Sequence, residues 1–320
     1  FLGWLTGVFV STGIVMSSLF GVDYNLVIAC VVFIVIPMLL KGGYASLTQF
    51  DVVQFFIVSV GLLSIYFLGF KEEAPVHFPS VQSVGSLGVM GTVSLFIAVF
   101  SGVFAGGDVW QRMYATKNEK EVVKGFGWAC LLFTIAVISI SSLGMVSKEA
   151  GFEGSENDVF GFVIENLLNP IFLPVLLIVF LAAATSTINM IIFGGSSSLA
   201  KDFKRKGLND AVLHKRMQIV MIVVTLICAG LSLLTQDVMG IAMAIMSSTT
   251  CFVSLLLINI FTHFRVSNLT AFTSALVAFG FYFYLSFSGL MTPESAGLPM
   301  VINLAVIVFM EPIVRMMSRS

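Results

Sequence analysis

The sequence predicts an all-α polytopic membrane protein of about ten transmembrane helices, and three observations carry that prediction. Of 320 residues, 58% are hydrophobic and only 10% are charged, against about 25% charged in a soluble globular domain. Uncharged apolar runs near or above the length needed to cross about 30 Å of hydrocarbon recur along the chain. Backbone polar groups in lipid must be satisfied within the segment, so such runs are helices; a barrel would show short alternating segments instead. The 31 Phe and 16 Met residues fit broad lipid-facing and packing surfaces.

Taken in order, the uncharged stretches are 1–20, 24–40, 52–70, 88–107, 125–146, 170–200, 217–236, 238–263, 266–290 and 297–314. The first two contain no charged residue. The third is entered from a loop carrying Gly42-Gly43-Tyr44 and then Asp51 and Gln54. The fourth ends in glycines, and the sixth is too long for a straight perpendicular crossing. The last holds Glu311 near its end, with Arg315 four residues on as its natural partner. Several spans contain Gly or Pro, which membrane helices tolerate when neighbours re-satisfy the backbone. Connections are short, and the chain reads as a single transmembrane domain over 1–320.

The formal net charge is −1, and no basic stripe suggests a nucleic acid partner. Cys30, Cys130, Cys228 and Cys251 stand singly in apolar runs without C-x-x-C spacing, which reads as buried thiols rather than disulfides or metal ligands. His77, His214 and His263 are isolated as well. Lys and Arg segregate strongly between the two sides of this layout. One side receives Lys41, Arg112, Lys117, Lys120, Lys124, Lys201, Lys204, Arg205, Lys206, Lys215, Arg216, Arg265, Arg315 and Arg319; the other receives only Lys71 and Lys148. Both termini of the chain are therefore expected to face the cytoplasm of a cell membrane. The loops 71–87 and 147–165 carry acids instead, including Glu72, Glu73, Glu149, Glu153, Glu156 and Asp158. The Asn268-Leu269-Thr270 pattern falls on the cytoplasmic side and is discounted as a glycosylation acceptor. Phe1 already lies in an apolar run, with neither an initiator Met nor a charged signal head, as expected of a fragment.

Polar residues at membrane depth are where function is sought first. The middle of span 170–200 reads Ala182-Ala183-Ala184-Thr185-Ser186-Thr187-Ile188-Asn189. Ala183, Ser186 and Thr187 stand at i, i+3 and i+4 and share a helix face. A carbonyl with a spare lone pair beside two hydroxyls suits a weakly held monovalent cation better than zinc. The alternative is that these hydroxyls bond back to the i−4 carbonyl or join helices. The stretch Ser101 to Arg112 carries Gly102, Gly106 and Gly107. It reads either as a discontinuous helix at a binding site or as a packing face. Asp51 reads as a helix N-cap or as an ion ligand.

Together these features resemble the sodium:solute symporter family. Gly42-Gly43-Tyr44 through Thr48, Asp51 and Gln54 is similar to the family's G-G-x-x-A-V-x-x-T-D-x-x-Q stretch. Gln111-Arg112 with Ala115, Lys117 and Gly125 is similar to its Q-R-x-x-A-x-K segment, and Ala183 to Thr187 with Ser196 to Arg205 to its sodium-site helix and exit. The resemblance implies a LeuT-type inverted repeat lacking core helices one and two. Residues 1–70 would be the remnant of the first repeat, 88–263 the second repeat, and 266–314 accessory helices. It implies secondary active, sodium-coupled symport of a small organic solute by alternating access, with Na⁺ as the co-transported ion and no organic cofactor.

The sodium ligands it implies are the Ala183 carbonyl and the Ser186 and Thr187 hydroxyls, with Asp51 on the ion's exit path. Asn189 and Met190 stand where some relatives carry hydroxyls for a second sodium, so one coupled sodium is expected. Val99, Gly102 and Val103 replace the residues of the sugar-transporting branch. Ser94, Ser101, Ser248 and Thr249 remain as candidate solute contacts for an amino acid, a carboxylate or a similar metabolite. The rival readings are a membrane sensor module of the same architecture and a sodium-independent transporter. An enzyme is disfavoured, since no intramembrane nucleophile with its base or paired carboxylates is assembled.

Overall fold

The computed structural model describes residues 1–41, 44–71, 88–155, 157–202 and 209–317. Gly42, Gly43, Glu72, Glu73, His77, Glu156, Lys204, Arg205, Lys206 and Arg319 lie outside the described residues. The helices are α1 (Leu2–Phe20), α2 (Tyr24–Lys41), α3 (Tyr44–Ser64), α4 (Gly88–Ala105), α5 (Gly107–Tyr114) and α6 (Glu119–Glu149), then α7 (Val159–Phe162), α8 (Leu173–Asp202), α9 (Asp210–Ser232), α10 (Val238–Phe261), α11 (Asn268–Phe287) and α12 (Leu298–Met317). Among the described residues nine helices are long and apolar enough to cross a membrane, and Tyr24–Leu40 is a shorter apolar one. Each of the ten expected spans is thus a helix, and the protein is an all-α polytopic membrane protein.

Two boundaries differ from expectation, each for a local reason. The third span begins at Tyr44 rather than near 52, which places Asp51 two turns inside α3. It is therefore no N-cap. The fourth span breaks at Gly106, which is not helical, and the chain restarts as the eight-residue α5. Residues without Cβ atoms make such a break inexpensive.

The chain forms two compact units. The first comprises 1–79 and 110–238 and is built around α1, α2, α3, α6, α8 and α9. Its main core joins Leu5 and Phe9 of α1, Ile28, Val35 and Leu39 of α2, Ile188 and Ile192 of α8, and Met221 and Val224 of α9. α3 runs antiparallel to α8. Leu62 and Val179 are buried together there, and an added Cβ at Gly61 would meet the Val179 side chain. At one end of the pair Phe70 bridges Leu168, and Lys71 Nζ donates to the Glu165 carbonyl (2.9 Å). Arg112 sits at the other end, beside Asp51. Lys71 and Arg112, assigned by the sequence to opposite sides, lie toward opposite ends of this helix pair.

The second unit, 80–109 and 239–320, contains α4, α10, α11 and α12. Its largest helix contact is α11 on α12. Glu311, 2% exposed, accepts from both the backbone N (3.0 Å) and the Oγ (2.8 Å) of Ser267, the N-cap of α11. Its other oxygen accepts from Arg315 Nε (2.8 Å), so the expected i, i+4 pair is present. Arg315 also donates to the Arg265 carbonyl (2.6 Å) and lies over the Phe264 ring. At the other end Gly297 N donates to Ser94 Oγ (2.8 Å), satisfying an amide at the start of α12 that has no helical partner.

All four cysteines are free, but only Cys228 and Cys251 are buried; Cys30 and Cys130 are exposed. The expectation that all four are buried is corrected here. Lipid tails are as apolar as a protein core, so a thiol in an apolar run has no reason to face inward.

Two stability predictions follow from the second unit. A Cβ at Gly297 would stand 2.9 Å from the Ser94 carbonyl oxygen, so Gly297→Ala lowers stability by about 1–3 kcal/mol through overpacking. Glu311→Ala strips Ser267 and Arg315 of their acceptor and costs about 2 kcal/mol. That lies below the figure for a fully buried pair because Arg315 is half exposed. Glu311→Gln, which can still accept from Ser267, costs about 1 kcal/mol. Thermal unfolding of the purified protein in detergent checks all three.

Candidate functional site

A polar group in the first unit lies where α3 crosses α8. Asp51 and Gln54 stand at i and i+3 on α3 and face the Thr185-Ser186 pair of α8. Ser186 Oγ donates to Asp51 Oδ1 at 2.7 Å. Gln54 Nε2 donates to Thr185 Oγ1 at 2.7 Å, and Thr185 passes its own proton to the Leu181 carbonyl at 2.6 Å. Asp51 is 9% exposed and Gln54 5% exposed, so both polar heads are held in the helix interface. Buried polar groups usually find partners inside the protein; the Asp51 carboxylate and the Gln54 amide nitrogen do, while Gln54 Oε1 has none among the described residues.

α5 closes the group from a third direction. Arg112 is ion-paired with Asp51, its NH2 3.2 Å from Oδ2. The preceding Gln111 directs its amide nitrogen at Gly194 O and Ser197 Oγ (3.3 Å each) and at Ser198 Oγ (3.4 Å). Adjacent residues of one short helix thus reach α3 and α8 together. Sequence reasoning had assigned no role to Gln111, Arg112 or Gln54. Their signal in the sequence is membership of the two family-like motifs, and nothing in the spacing shows which acid Arg112 meets.

The three expected sodium ligands occupy neighbouring positions on α8 with different surroundings. Ala183 and Thr187 are exposed, whereas Ser186 is half-buried at the edge facing α3. Thr187 Oγ1 donates to the Ala183 carbonyl at 2.8 Å. The back-bonding alternative therefore holds at Thr187, and the carbonyl's spare lone pair is in use rather than free. It does not hold at Ser186, whose proton goes to Asp51. Asn189, one turn on from Ser186, is 2% exposed, and its Oδ1 has no partner among the described residues. Among the described residues no group of three or more His, Cys, Asp or Glu side chains could hold a metal ion.

The candidate solute contacts belong to the second unit. Ser101 is fully buried and donates to the Ile97 carbonyl (2.6 Å). Ser248 and Thr249 donate to the carbonyls of Ile245 and Met246 (2.7 Å each). α4 and α10 approach where Gly102 faces Thr249: a Cβ on Gly102 would lie 3.8 Å from Thr249 Oγ1. Thr249 is therefore a neighbour of Gly102, the residue next to Ser101. Ser94 is not with them; it is taken up by Gly297 at the start of α12.

Comparison with known proteins identifies the family. The sequence model of the sodium:solute symporter family matches residues 1–278. A sodium/proline symporter of Staphylococcus aureus (strain bovine RF122 / ET3-1) is 27% identical over 253 residues, covering 74% of this chain and 48% of that protein. Sodium/proline symporter 2 of Staphylococcus saprophyticus is 26% identical over 224 residues, covering 65% of this chain and 44% of that protein. The chain spans about half the length of the curated relatives it matches. With the match covering most of its residues, the chain belongs to the sodium:solute symporter family.

Proposed function

We propose that the complete protein couples the inward movement of Na⁺ to uptake of a small zwitterionic solute of the proline class, by alternating access in a LeuT-type core. The observation that carries this reading is the patch on α8. The Ala183 carbonyl and the Thr187 hydroxyl share an open face beside Ser186, and Ser186 turns its proton away to Asp51. Neutral oxygens so placed hold a monovalent cation weakly enough to release it. The remaining oxygens come, in this reading, from the first core helix of a family member. Asp51, beside the middle of α8, lies on the ion's way out in this reading, and the Lys- and Arg-rich ends of the helices face the cytoplasm.

The solute class is taken from the names of the relatives, two of them sodium/proline symporters. Ser101, Ser248 and Thr249 are assigned to the solute as hydroxyls at membrane depth. Ser94 enters as a weaker member, because Gly297 already occupies it.

The energetics are sufficient. One charge moving through 100 mV supplies about 2.3 kcal/mol, and a tenfold sodium gradient about 1.4 kcal/mol. Together they support accumulation of a neutral solute by roughly a few hundredfold. Coupling requires each ligand to favour binding of the other, and that preference is reciprocal.

Proteoliposomes carrying the complete protein test the reading. Labelled proline, with other amino acids and carboxylates as comparison, is offered with and without an inward sodium gradient. Uptake is expected to depend on sodium, and Thr187→Ala to raise the sodium concentration for half-maximal uptake about tenfold. The same variant raises the half-saturating solute concentration at low sodium. Uptake indifferent to sodium and to Thr187 discards the sodium assignment.

A further inference from the structure

We propose that the groove between the ends of α10 and α12 binds an anionic phospholipid, its acyl chain against the helices and its headgroup at Arg265 and Arg315. The inference needs only the membrane placement of the chain and stands apart from the sodium and solute assignments.

The groove measures about 270 Å³ and lies wholly within the second unit. Ile258 of α10, Ile307, Val308 and Pro312 of α12, and Phe264 between the two helices give it apolar walls. The turn that sets Phe264 there is local: Thr262 Oγ1 accepts from Phe264 N (3.1 Å) and donates to the Ile258 carbonyl (2.6 Å). Val308 is 59% exposed and Phe264 43% exposed, so the groove opens on the surface of the unit. One turn of a helix about 10 Å across fills roughly 400 Å³, more than the groove holds. A single hydrocarbon chain is slimmer and fits, and acyl chains are what apolar surface meets in a bilayer.

Charge sets the kind of lipid. The guanidinium of Arg315 lies 4.2 Å from the centre of the Phe264 ring, against the groove wall. Its NH2 donates to the Arg265 carbonyl (2.6 Å), which draws the backbone of Arg265 to the same end of the groove. Arg265 is exposed, and its guanidinium has no hydrogen-bond partner among the described residues. Glu311 also lines the groove, but it is 2% exposed and paired with Arg315 at 2.8 Å. That acid offsets one positive charge and leaves the other. His263, also exposed, adds no negative charge. A positive mouth on an apolar groove matches a phosphate on an acyl chain, and the arginine fork suits phosphate oxygens. The sequence assigns both arginines to the Lys- and Arg-rich side of the membrane, where anionic headgroups attract such residues.

Native mass spectrometry of the complete purified protein, titrated with phosphatidylglycerol or with phosphatidylcholine, tests the site. Wild type is expected to bind its first phosphatidylglycerol more tightly than phosphatidylcholine. Arg265→Gln leaves the backbone carbonyl in place for Arg315. It is expected to weaken phosphatidylglycerol binding about fivefold and to leave phosphatidylcholine nearly unchanged. Val308→Trp fills the groove without touching a charge and is expected to weaken both lipids. Lys120→Gln, at an exposed charge on α6, is expected to bind like wild type. Equal losses in Lys120→Gln and Arg265→Gln overturn the site in favour of diffuse attraction to basic surface. Unchanged phosphatidylglycerol binding in either Arg265→Gln or Val308→Trp overturns it outright. Displacement of phosphatidylglycerol by an equal concentration of inorganic phosphate marks a plain anion site and overturns the lipid assignment as well.

Discussion

A carboxylate at membrane depth has to be satisfied by the protein, because lipid offers it nothing. Asp51 is that carboxylate, and much of the first unit is arranged around it. Ser186 and Arg112 occupy its two oxygens. The first ties α3 to α8, and the second ties α5 to α3, while the neighbouring Gln111 reaches α8. Gln54 and Thr185 repeat the α3–α8 link three residues further along α3. Below this the pair is apolar, closed by Leu62, Val175 and Val179. Small residues let the helices come close enough for the polar heads to meet: Gly61 packs against Val179, and Ala182 and Ala184 are buried on α8.

The same logic operates in the second unit with a different acid. Glu311 is nearly inaccessible, yet each of its oxygens has a donor, from the N-cap of α11 and from Arg315 on its own helix. Here the partners join the start of α11 to the last turns of α12. Around Asp51, by contrast, the chain of bonds ends at Ser186, next to the exposed Ala183 and Thr187.

Hydroxyls in membrane helices usually return to the carbonyl one turn back, and this protein follows the rule widely. Thr12, Ser101, Ser142, Thr187 and Thr225 all do so. Ser186 departs from it, and the departure has a cause in another helix. The position of Asp51 three residues before Gln54 on α3 supplies the acceptor that draws the proton off its own backbone.

The class of protein, the number of helices and the clustering of hydroxyls on α8 were all legible in the residues, because charge spacing and helical periodicity are local properties. So was the Glu311–Arg315 pair, whose partners are one turn apart on a single helix. The family was legible too, since its motifs are short stretches in order. The partners of Asp51 were not. Ser186 lies 135 residues away and Arg112 61 residues away, and nothing local in the chain says which face of α3 meets which face of α8. The true start of α3 also hid in the sequence, making Asp51 look like a cap when it is an interior residue. The exposure of Cys30 and Cys130 was hidden for a related reason, as lipid and core select the same side chains. Sequence by itself determined what each helix is made of; only the tertiary structure decided which polar atoms meet, because that depends on helix rotation and crossing, which composition does not encode.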